Sequence, residues 1–303
     1  MAEKPHFLGI GAPRSGTTWL YHRLSEHPDF QLPLIKELHY FDRSKEYPSP
    51  SILSEDRLGK RLRDRYWRKK FVRGLLSAFK RVRSPSDIKW CLRYYLSSYD
   101  DDWYLSLFDP LDKICGEITP AYMLLAEIDV ARIYELLPNV KTLFFMRDPL
   151  SRTWSSYRKN VLRKGKAVSD IQSIRAYLES DGLFERANYI ETLNRYQKYA
   201  QPHRSLIGFF DAIEEQPLRT LEQVTRFLGG DSDKITEYCS VSEVSNASPR
   251  LNMPREIEAY LSSYYRPLIT ELSERFGGYC TQWMNRYYGT TEGDSDPQPT
   301  IVV

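Results

Sequence analysis

The chain has 303 residues, 41% of them hydrophobic and 27% charged, with a formal net charge of +3. This length and composition allow a full hydrophobic core and are typical of a single α/β domain. The near-neutral charge argues against general nucleic-acid binding. No apolar run approaches the roughly 20 residues that cross a bilayer, and the amino terminus lacks the layout of a signal peptide. We therefore expect a cytoplasmic protein without a transmembrane segment.

The spacing of cysteines and histidines offers no metal site. The cysteines form no CxxC pair and are widely scattered: Cys91, Cys115, Cys239 and Cys280. The histidines other than His39 also lack the spacing of metal ligands. We expect free thiols and no bound metal.

Short apolar runs alternate with amphipathic stretches along most of the chain. His6–Gly11 is predicted to be a buried strand that runs into a glycine-containing turn, and a helix is predicted from about Thr17 to His27. Further strands are predicted at Lys113–Ile118, Val140–Met146 and Ser205–Phe210, and further helices at Ile128–Leu137, Arg152–Leu162 and Tyr189–Tyr199. This alternation predicts an α/β fold in which a parallel sheet carries helices on both faces.

Two regions break the alternation. From about residue 45 to 105 we expect a helical insertion, which is strongly basic and aromatic between Arg57 and Arg93. The tail from Thr290 to Val303 has the composition of a disordered segment. We therefore expect one domain over residues 1–289 that includes the insertion, followed by a disordered tail at 290–303.

A candidate phosphate-binding loop, GIGAPRSGTTWL, lies at Gly9–Leu20, between the first predicted strand and the first predicted helix. Gly11 and Gly16 let the backbone wrap around a phosphate, and amides at the helix N-terminus point toward it. The loop can also be a turn that only joins a strand to a helix. Its candidate anion-binding residues are Arg14, Ser15, Gly16, Thr17, Thr18 and Trp19.

This loop differs from that of a nucleotide kinase or NTPase, which has the pattern GxxxxGK[ST]. Counted from Gly11, the position of the lysine is occupied by Thr17, and a cation stands earlier, at Arg14. No metal site is evident, although Asp148 follows a later predicted strand. The loop therefore favours a nucleotide that carries no triphosphate.

A second candidate anion site lies in residues 143–157, LFFMRDPLSRTWSSY. A predicted strand ends at Arg147, an Asp-Pro dipeptide turns the chain, and Ser155 lies about one turn into the next predicted helix. An arginine at the carboxyl end of a strand and a helix hydroxyl suit an anion in the crevice of a parallel sheet. The alternative is an arginine paired with a nearby carboxylate and a serine on an exposed face.

The two stretches together resemble the sulfotransferases that use 3′-phosphoadenosine-5′-phosphosulfate (PAPS). The first is similar to their loop for the 5′-phosphosulfate, and the second to their R-D/N-P-x-x-R-x-x-S element for the 3′-phosphate. Similarity continues in KELHYFD at Lys36–Asp42, GEITPAYM at Gly116–Met123 and FLG at Phe227–Gly229. The resemblance is closest to the bacterial and heparan-sulfate-type members and covers residue 6 to about 288. It implies a P-loop-NTPase-like parallel sheet flanked by helices, with PAPS as co-substrate and adenosine 3′,5′-bisphosphate as product.

The resemblance also implies roles for particular residues. Arg14 stands where the family has lysine or arginine beside the phosphate that leaves, and the residues around it, with Thr17 and Thr18, bind the 5′-phosphate. Arg147 and Ser155 correspond to the residues that hold the 3′-phosphate. Arg250 falls where many relatives close a loop over that phosphate.

One departure from the heparan-sulfate-type members concerns the residue before Thr-Pro-x-Tyr. Those members often have a lysine there that binds or polarises the donor, whereas this chain has Ile118. A glucosamine-type acceptor is therefore less expected, and more of the electrostatic work falls to Arg14.

Transfer to an oxygen requires a group that accepts the proton of the acceptor. Glu37 and His39 are the candidates, because residues two apart share a face if this segment is extended. Glu37 corresponds to the catalytic glutamate of the heparan-sulfate-type members and is the favoured base. His39 is the alternative base, or else a half-buried histidine that only packs beside its aromatic neighbours.

The basic stretch Arg57–Arg93 admits two interpretations. It grips an anionic or glycan acceptor or touches a membrane surface, or it forms amphipathic helices whose charged face is only solvated. The acceptor itself can be a small molecule, a glycan or a carrier-bound intermediate. Two other functions stay open: a P-loop nucleotide or small-molecule kinase, and a PAPS-binding protein without catalysis.

Overall fold

A six-stranded sheet forms the centre of the protein in the computed structural model. The structure describes residues 4–48, 53–55, 57–79, 84–108, 112–163, 171–180, 184–241, 252–289 and 297–303. The strands are β1 (Phe7–Gly11), β2 (Phe30–Gln31), β3 (Ile114–Ile118), β4 (Lys141–Met146), β5 (Ser205–Phe209) and β6 (Thr300–Val302).

The strands are hydrogen-bonded in the order β2-β3-β1-β4-β5-β6. Neighbouring strands from β2 to β5 are parallel, and β6 is antiparallel to β5. Because β3, β1 and β4 are parallel neighbours, their carboxyl ends lie side by side at one edge of the sheet. Loops that follow these strands are where α/β proteins bind ligands.

Helices precede, connect and follow the strands. In the described ranges they are α1 (Thr17–Glu26), α2 (Leu58–Arg63), α3 (Arg65–Phe79), α4 (Pro85–Leu96), α5 (Asp101–Ser106), α6 (Glu127–Leu136), α7 (Pro149–Arg163), α8 (Ile171–Ser180), α9 (Tyr189–Gln197), α10 (Phe210–Glu215), α11 (Pro217–Leu228), α12 (Ile235–Tyr238), α13 (Arg255–Phe276) and α14 (Gly278–Tyr288). Short 3-10 helices lie at Pro120–Leu124, Glu185–Ala187 and Ser232–Lys234.

Both faces of the sheet are covered, as the sequence predicts. In β1, Phe7 packs in a core with α1 and α11, whereas Leu8 and Ile10 pack in a second core with α6, α7, α9, α13 and α14. Successive residues of β4 alternate between the same two cores. Since side chains of a strand point to opposite faces in turn, this division explains why the strands are continuous apolar runs.

The predicted strands and helices are present, with ends that differ by up to three residues. The prediction of a disordered tail is wrong for Thr300–Val302, which pairs with β5 over residues 206–208. The physical reason is that β5 is otherwise an edge strand with unpaired backbone groups, and the β-branched residues Thr300, Ile301 and Val302 can pair with it. The sheet is therefore mixed at this edge.

The predicted insertion forms helices α2 to α5 and joins the larger core through aromatic side chains, among them Trp67, Tyr94 and Trp103. Arg61 is buried there and donates to the carbonyl oxygens of Tyr95 at 3.1 Å and Ser97 at 2.6 Å, which lie at the C-terminal end of α4. Within the described part of the chain, no helix has the length and apolarity that a membrane span requires.

Candidate active site

The loop between β1 and α1 turns sharply because of Gly16, the residue that precedes α1. Its φ of 82° lies in the left-handed region, and a Cβ atom there would lie 2.4 Å from Cδ1 of Ile213. Only glycine meets both conditions without strain. The N-cap position of α1 has no side-chain hydrogen bond, so the first amides of α1 face the loop without a capping side chain.

Ser15 places a hydroxyl in the same loop. The side chain is fully buried, and in the described part of the chain its Oγ has no hydrogen-bond partner. A buried hydroxyl without a partner is rare and indicates a group or ligand that satisfies it. Together with the uncapped amides of α1, it makes this loop suitable for an anion.

The two candidate anion-binding stretches meet. Nε and Nη2 of Arg14 donate to Oγ of Ser155 on α7 at 3.0 and 2.8 Å, across 141 residues of sequence. Nη1 of Arg147, just after β4, donates to the carbonyl oxygen of Arg14 at 3.2 Å. One arginine therefore connects the end of β1, the end of β4 and the start of α7.

Positive charge is concentrated around Arg14. Burial lowers the pKa of Arg14, and the nearby guanidinium groups of Arg147, Arg158 and Arg152 lower it further. Burial also lowers the pKa of Arg147, although carboxylates, of which Glu214 has the largest effect, oppose this shift. Partly desolvated arginines that repel one another favour a ligand with several negative charges, because the ligand restores charge balance.

The turn after β4 is held from the opposite end of the chain by α14. Oδ2 of Asp148, which is buried, accepts from Tyr287 and, at 3.3 Å, from Nη1 of Arg286. Trp283 of the same helix donates to Asp211, whose pKa is raised to about 6, mainly by burial. These contacts fix the direction in which the chain leaves β4, and therefore where Arg147 lies.

A second polar cluster contains both candidate bases. Oε1 of Glu37 lies 2.5 Å from Nζ of Lys36, and Oε2 of Glu37 lies 3.7 Å from Nε2 of His39. Nδ1 of His39 lies 2.7 Å from Oδ2 of Asp42, which is buried. The segment is not extended, since φ is 67° at Glu37 and 58° at His39. The side chains are neighbours because the backbone is bent.

The cluster holds Glu37 and His39 as an ion pair at neutral pH. Burial raises the pKa of Glu37, but the contacts with His39 and Lys36 outweigh burial and lower it to about 2. Burial lowers the pKa of His39, whereas the contacts with Asp42 and Glu37 raise it to about 9. At neutral pH Glu37 is therefore a carboxylate and His39 an imidazolium.

Glu117 of β3 holds this bent segment in place. Its buried carboxylate accepts from the hydroxyls of Tyr104 at 2.7 Å, Tyr122 at 3.0 Å and Thr119 at 2.6 Å, and from the amide of Leu38 at 3.4 Å. The amide of Tyr40 donates to the Tyr122 hydroxyl at 3.0 Å. Main-chain groups on both sides of His39 are thus tied to β3.

β3 is the neighbour of β1, so the Glu37 cluster and the anion loop share one edge of the sheet. Leu8 of β1 is in register with Glu117, and the amide of Thr119 donates to the carbonyl of Gly9 at 2.9 Å. The 3-10 helix that follows Thr119 packs on the loop, where a Cβ at Gly11 would lie 3.1 Å from Cβ of Met123. The candidate base and the arginine cluster therefore flank the carboxyl ends of β3, β1 and β4.

The family profile for sulfotransferases matches residues 5–234 of this sequence. The chain belongs to the sulfotransferase family. Carbohydrate sulfotransferase 15 of Mus musculus is 28% identical over 167 residues, covering 50% of this chain and 27% of that protein. The membrane-associated sulfotransferase kil1 of Dictyostelium discoideum is 24% identical over 200 residues, covering 65% of this chain and 31% of that protein. The chain spans about a third or less of the length of these relatives.

Solved sulfotransferase structures have the same fold. The crystal structure of a sulfotransferase from Alicyclobacillus acidocaldarius has a TM-score of 0.60 at 20% identity and covers 89% of this chain and 95% of its own. The sulfotransferase domain from the curacin biosynthetic pathway has a TM-score of 0.50 at 15% identity, with coverage of 86% and 99%. The predicted P-loop-like α/β fold is therefore confirmed.

The remaining predicted donor-site residues of this sulfotransferase lie in several places. Thr17 is buried and Thr18 half-buried at the start of α1. The indole of Trp19 packs in the core and donates to the carbonyl of Val241 at 3.3 Å, so Trp19 presents only its main-chain amide to the loop. Arg250 lies outside the described residues. Among the residues that the structure describes, no group of three or more His, Cys, Asp or Glu side chains could hold a metal ion.

Sequence reasoning assigned no role to Glu117 or to the α14 contacts. The sequence does contain a signal for Glu117, because it is a glutamate inside an otherwise apolar strand. A carboxylate buried in this way needs several hydrogen-bond donors. Its neighbours Thr119 and Tyr122 in GEITPAYM could have been named as two of them. No local pattern marks Arg286 or Tyr287, which meet Asp148 only through the packing of α14.

We predict that His39 titrates with a pKa of about 9 in NMR spectra of the imidazole nitrogens. Its raised pKa means that the stabilisation from the protonated ring is complete below pH about 6.5 and is lost as pH rises through about 9. Asp42→Asn and Glu37→Gln should each lower the pKa of His39, whereas Glu256→Gln on the exposed start of α13 should not. A wild-type pKa near that of a solvated histidine contradicts the ion-pair arrangement.

Glu117→Gln should lower the free energy of unfolding by about 1–3 kcal/mol, because an amide cannot accept from four donors and the Leu38 amide cannot reverse its role. Denaturant unfolding measures this change. Glu135→Gln, at an exposed position of α6, is the matched control and should unfold like the wild type. Equal stability of both variants would show that the buried hydrogen bonds of Glu117 contribute nothing.

Proposed function

We propose that this sulfotransferase transfers a sulfuryl group from PAPS to a hydroxyl or amine of an acceptor and releases adenosine 3′,5′-bisphosphate. The contact between Arg14 and Ser155 carries this proposal. It joins the loop that resembles a 5′-phosphosulfate site to the helix that resembles a 3′-phosphate site. A nucleotide with an anion at each end fits such a pair of neighbouring sites.

The loop after β1 is proposed to bind the 5′ end of PAPS. Three features support this: the uncapped amides of α1, the buried Ser15 hydroxyl that lacks a partner among the described residues, and the Arg14 guanidinium. Thr17 and Thr18 add hydroxyls at the start of α1. Amides at a helix N-terminus and a guanidinium are the usual donors for a phosphate.

The 3′-phosphate is proposed to bind Arg147 and Ser155, with Arg250 as a further candidate. The guanidinium of Arg147 lies 4.1 Å from the ring centre of Phe210 and is held there, while the Ser155 hydroxyl accepts from Arg14 and retains its own proton to donate. Two phosphate-like groups would balance the mutual repulsion of the arginine cluster. A triphosphate with magnesium, in contrast, would need a carboxylate that binds the metal ion.

The chemistry supplied by PAPS is a sulfuryl group on a phosphate leaving group. An acceptor oxygen or nitrogen forms a bond to sulfur while the bond from sulfur to the phosphate oxygen breaks. Arg14 and the first amides of α1 stabilise the negative charge that the leaving oxygen acquires. The arginine cluster is already assembled by the fold, so little reorganisation accompanies the transfer.

Glu37 is proposed to accept the proton of the acceptor. It is ionised at neutral pH and half-exposed, whereas His39, with a pKa of about 9, already carries a proton and cannot accept another. This difference favours Glu37 over His39 as the base. His39 and Asp42 then orient Glu37, and Lys36 must move off Oε1 before the acceptor proton can occupy it.

The proposed donor site does not determine the class of acceptor. A small molecule, a glycan and a carrier-bound intermediate remain the candidates. Three of the relatives are named carbohydrate sulfotransferase 15, which makes carbohydrates the first class to screen.

We predict that calorimetric titration detects binding of adenosine 3′,5′-bisphosphate without metal, and that Arg147→Ala weakens this binding about 10- to 100-fold. Arg226→Ala, on the exposed side of α11, is the control and should bind like the wild type. If only ATP with magnesium binds, the proposal that the protein uses PAPS is wrong and the kinase alternative is favoured.

With any acceptor that supports turnover, Glu37→Gln should lower kcat about 10²–10⁴-fold, because the proton acceptor is lost. Bisphosphate binding should persist, which shows that the variant is folded, and Glu135→Gln should keep wild-type kcat. A Glu37→Gln enzyme with normal turnover excludes Glu37 as the base. Tight bisphosphate binding by the wild type without turnover on any acceptor class would instead favour a PAPS-binding protein without catalysis.

A further inference from the structure

We propose that the outer surface of α2, α3 and α4 docks on an anionic lipid surface. This surface, called here the insertion surface, combines exposed cations with exposed large apolar side chains on helices of the predicted insertion. The proposal is independent of the proposed donor site, because none of its residues belongs to the loop after β1, to the turn after β4 or to the Glu37 cluster.

The insertion surface is strongly positive, although the whole chain has a formal net charge of only +3. Within the described parts of residues 57–96 the acidic residues are Asp64 and Asp87, and both accept from backbone amides at the starts of α3 and α4. The exposed cations are Arg57, Lys60, Arg63, Arg65, Arg68, Lys69, Arg73, Lys89 and Arg93. Among the described residues, apart from Glu55, which lies 3.7 Å from Lys60, acidic side chains therefore do little to balance them.

The same helices expose large apolar side chains, which is unusual for a charged surface. The set, with exposed fractions of 39–62%, is Leu62, Tyr66, Val72, Leu76, Ile88, Leu92 and Leu96. These are seven of the twelve exposed large apolar residues in the described part of the chain. The other five lie on separate elements, so only this region forms a concentration of exposed apolar groups.

The apolar residues follow helical spacing on the sides of α3 and α4 that face away from the core. Ile88, Leu92 and Leu96 are four residues apart on α4, and Val72 and Leu76 are four apart on α3. The buried residues of α4 are Cys91, Tyr94 and Tyr95, and the Oη of Tyr95 would lie 1.7 Å from a Cβ at Gly74 of α3. The two helices are therefore already packed together, and the outer apolar residues are not needed to join them.

An anionic lipid surface satisfies both halves of the insertion surface. Headgroup phosphates pair with the arginines and lysines, while the boundary between headgroups and acyl chains accepts the leucine, isoleucine and valine side chains. A soluble polyanion would leave the apolar side chains in water. A second copy of this chain would place two sets of cations against each other, which is repulsive.

Vesicle flotation tests the proposal with the full chain. Vesicles of phosphatidylcholine alone are compared with vesicles of phosphatidylcholine mixed with phosphatidylserine. We expect binding to the mixed vesicles only, weakened by salt because the attraction is partly electrostatic. No binding to the mixed vesicles at low salt would overturn the proposal.

A double variant, Leu76→Ser with Leu92→Ser, removes apolar side chains and keeps every charge. We expect it to lower binding to the mixed vesicles about tenfold, because two partly inserted leucines are lost. The matched control is Ile128→Ser, which replaces an apolar residue on α6 that is 78% exposed, and it should bind vesicles like the wild type. Undiminished vesicle binding by the double variant contradicts insertion of these side chains.

Two further measurements separate lipid from the other occupants. A soluble sulfated polysaccharide should bind the wild type and the double variant equally. If the double variant loses polysaccharide binding but keeps vesicle binding, the surface is assigned to a glycan. Sedimentation measures self-association, and we expect the wild type and the double variant to behave alike. Self-association of the wild type that is lost in the double variant would assign the surface to a second copy. Bisphosphate binding, unchanged in all variants, reports on folding and on the donor site separately.

Discussion

Several arginines brought together at the carboxyl edge of a buried parallel sheet are the constraint on which the candidate site depends. Like charges at partly desolvated positions repel, so the fold must supply the packing that holds Arg14 next to Arg147 and Ser155. The covered sheet supplies that packing, because its strand ends are fixed by cores on both faces. Such repulsion favours binding of a ligand with several negative charges.

Buried carboxylates hold much of the candidate site in position, because each of them fixes a segment of main chain. Glu117 ties the amide of Leu38 to β3, and Asp148 ties the turn after β4 to α14. Both are acceptors with several donors, which is the condition for burying a carboxylate at acceptable cost. The consequence is that the segment directly after Glu37 is tied to β3, and that Arg147 lies between β4 and a turn tied to α14.

The family membership supports the fold, whereas the geometry of the site supports the proposed roles of individual residues. Membership in the sulfotransferase family rests on a match over residues 5–234, and it assigns the fold and the class of enzyme. The arrangement of Glu37, His39 and Asp42 bears on proton transfer, since the pKa values of about 2 and 9 divide the roles of carboxylate and imidazolium. The proposed role of the outer helices in lipid docking is independent of both.

Local features of the sequence determined the strands, the helices and the loop around Gly16, because hydrophobic period and glycine position act over a few residues. The pairing of the two anion-binding stretches was also predictable, since parallel strands end at one edge. Tertiary structure alone decided the bend at Glu37, the Tyr104 and Leu38 donors of Glu117, the contact of α14 with Asp148 and the pairing of Thr300–Val302 with β5. These features depend on which distant parts of the chain pack together, and the local pattern of residues does not determine that packing.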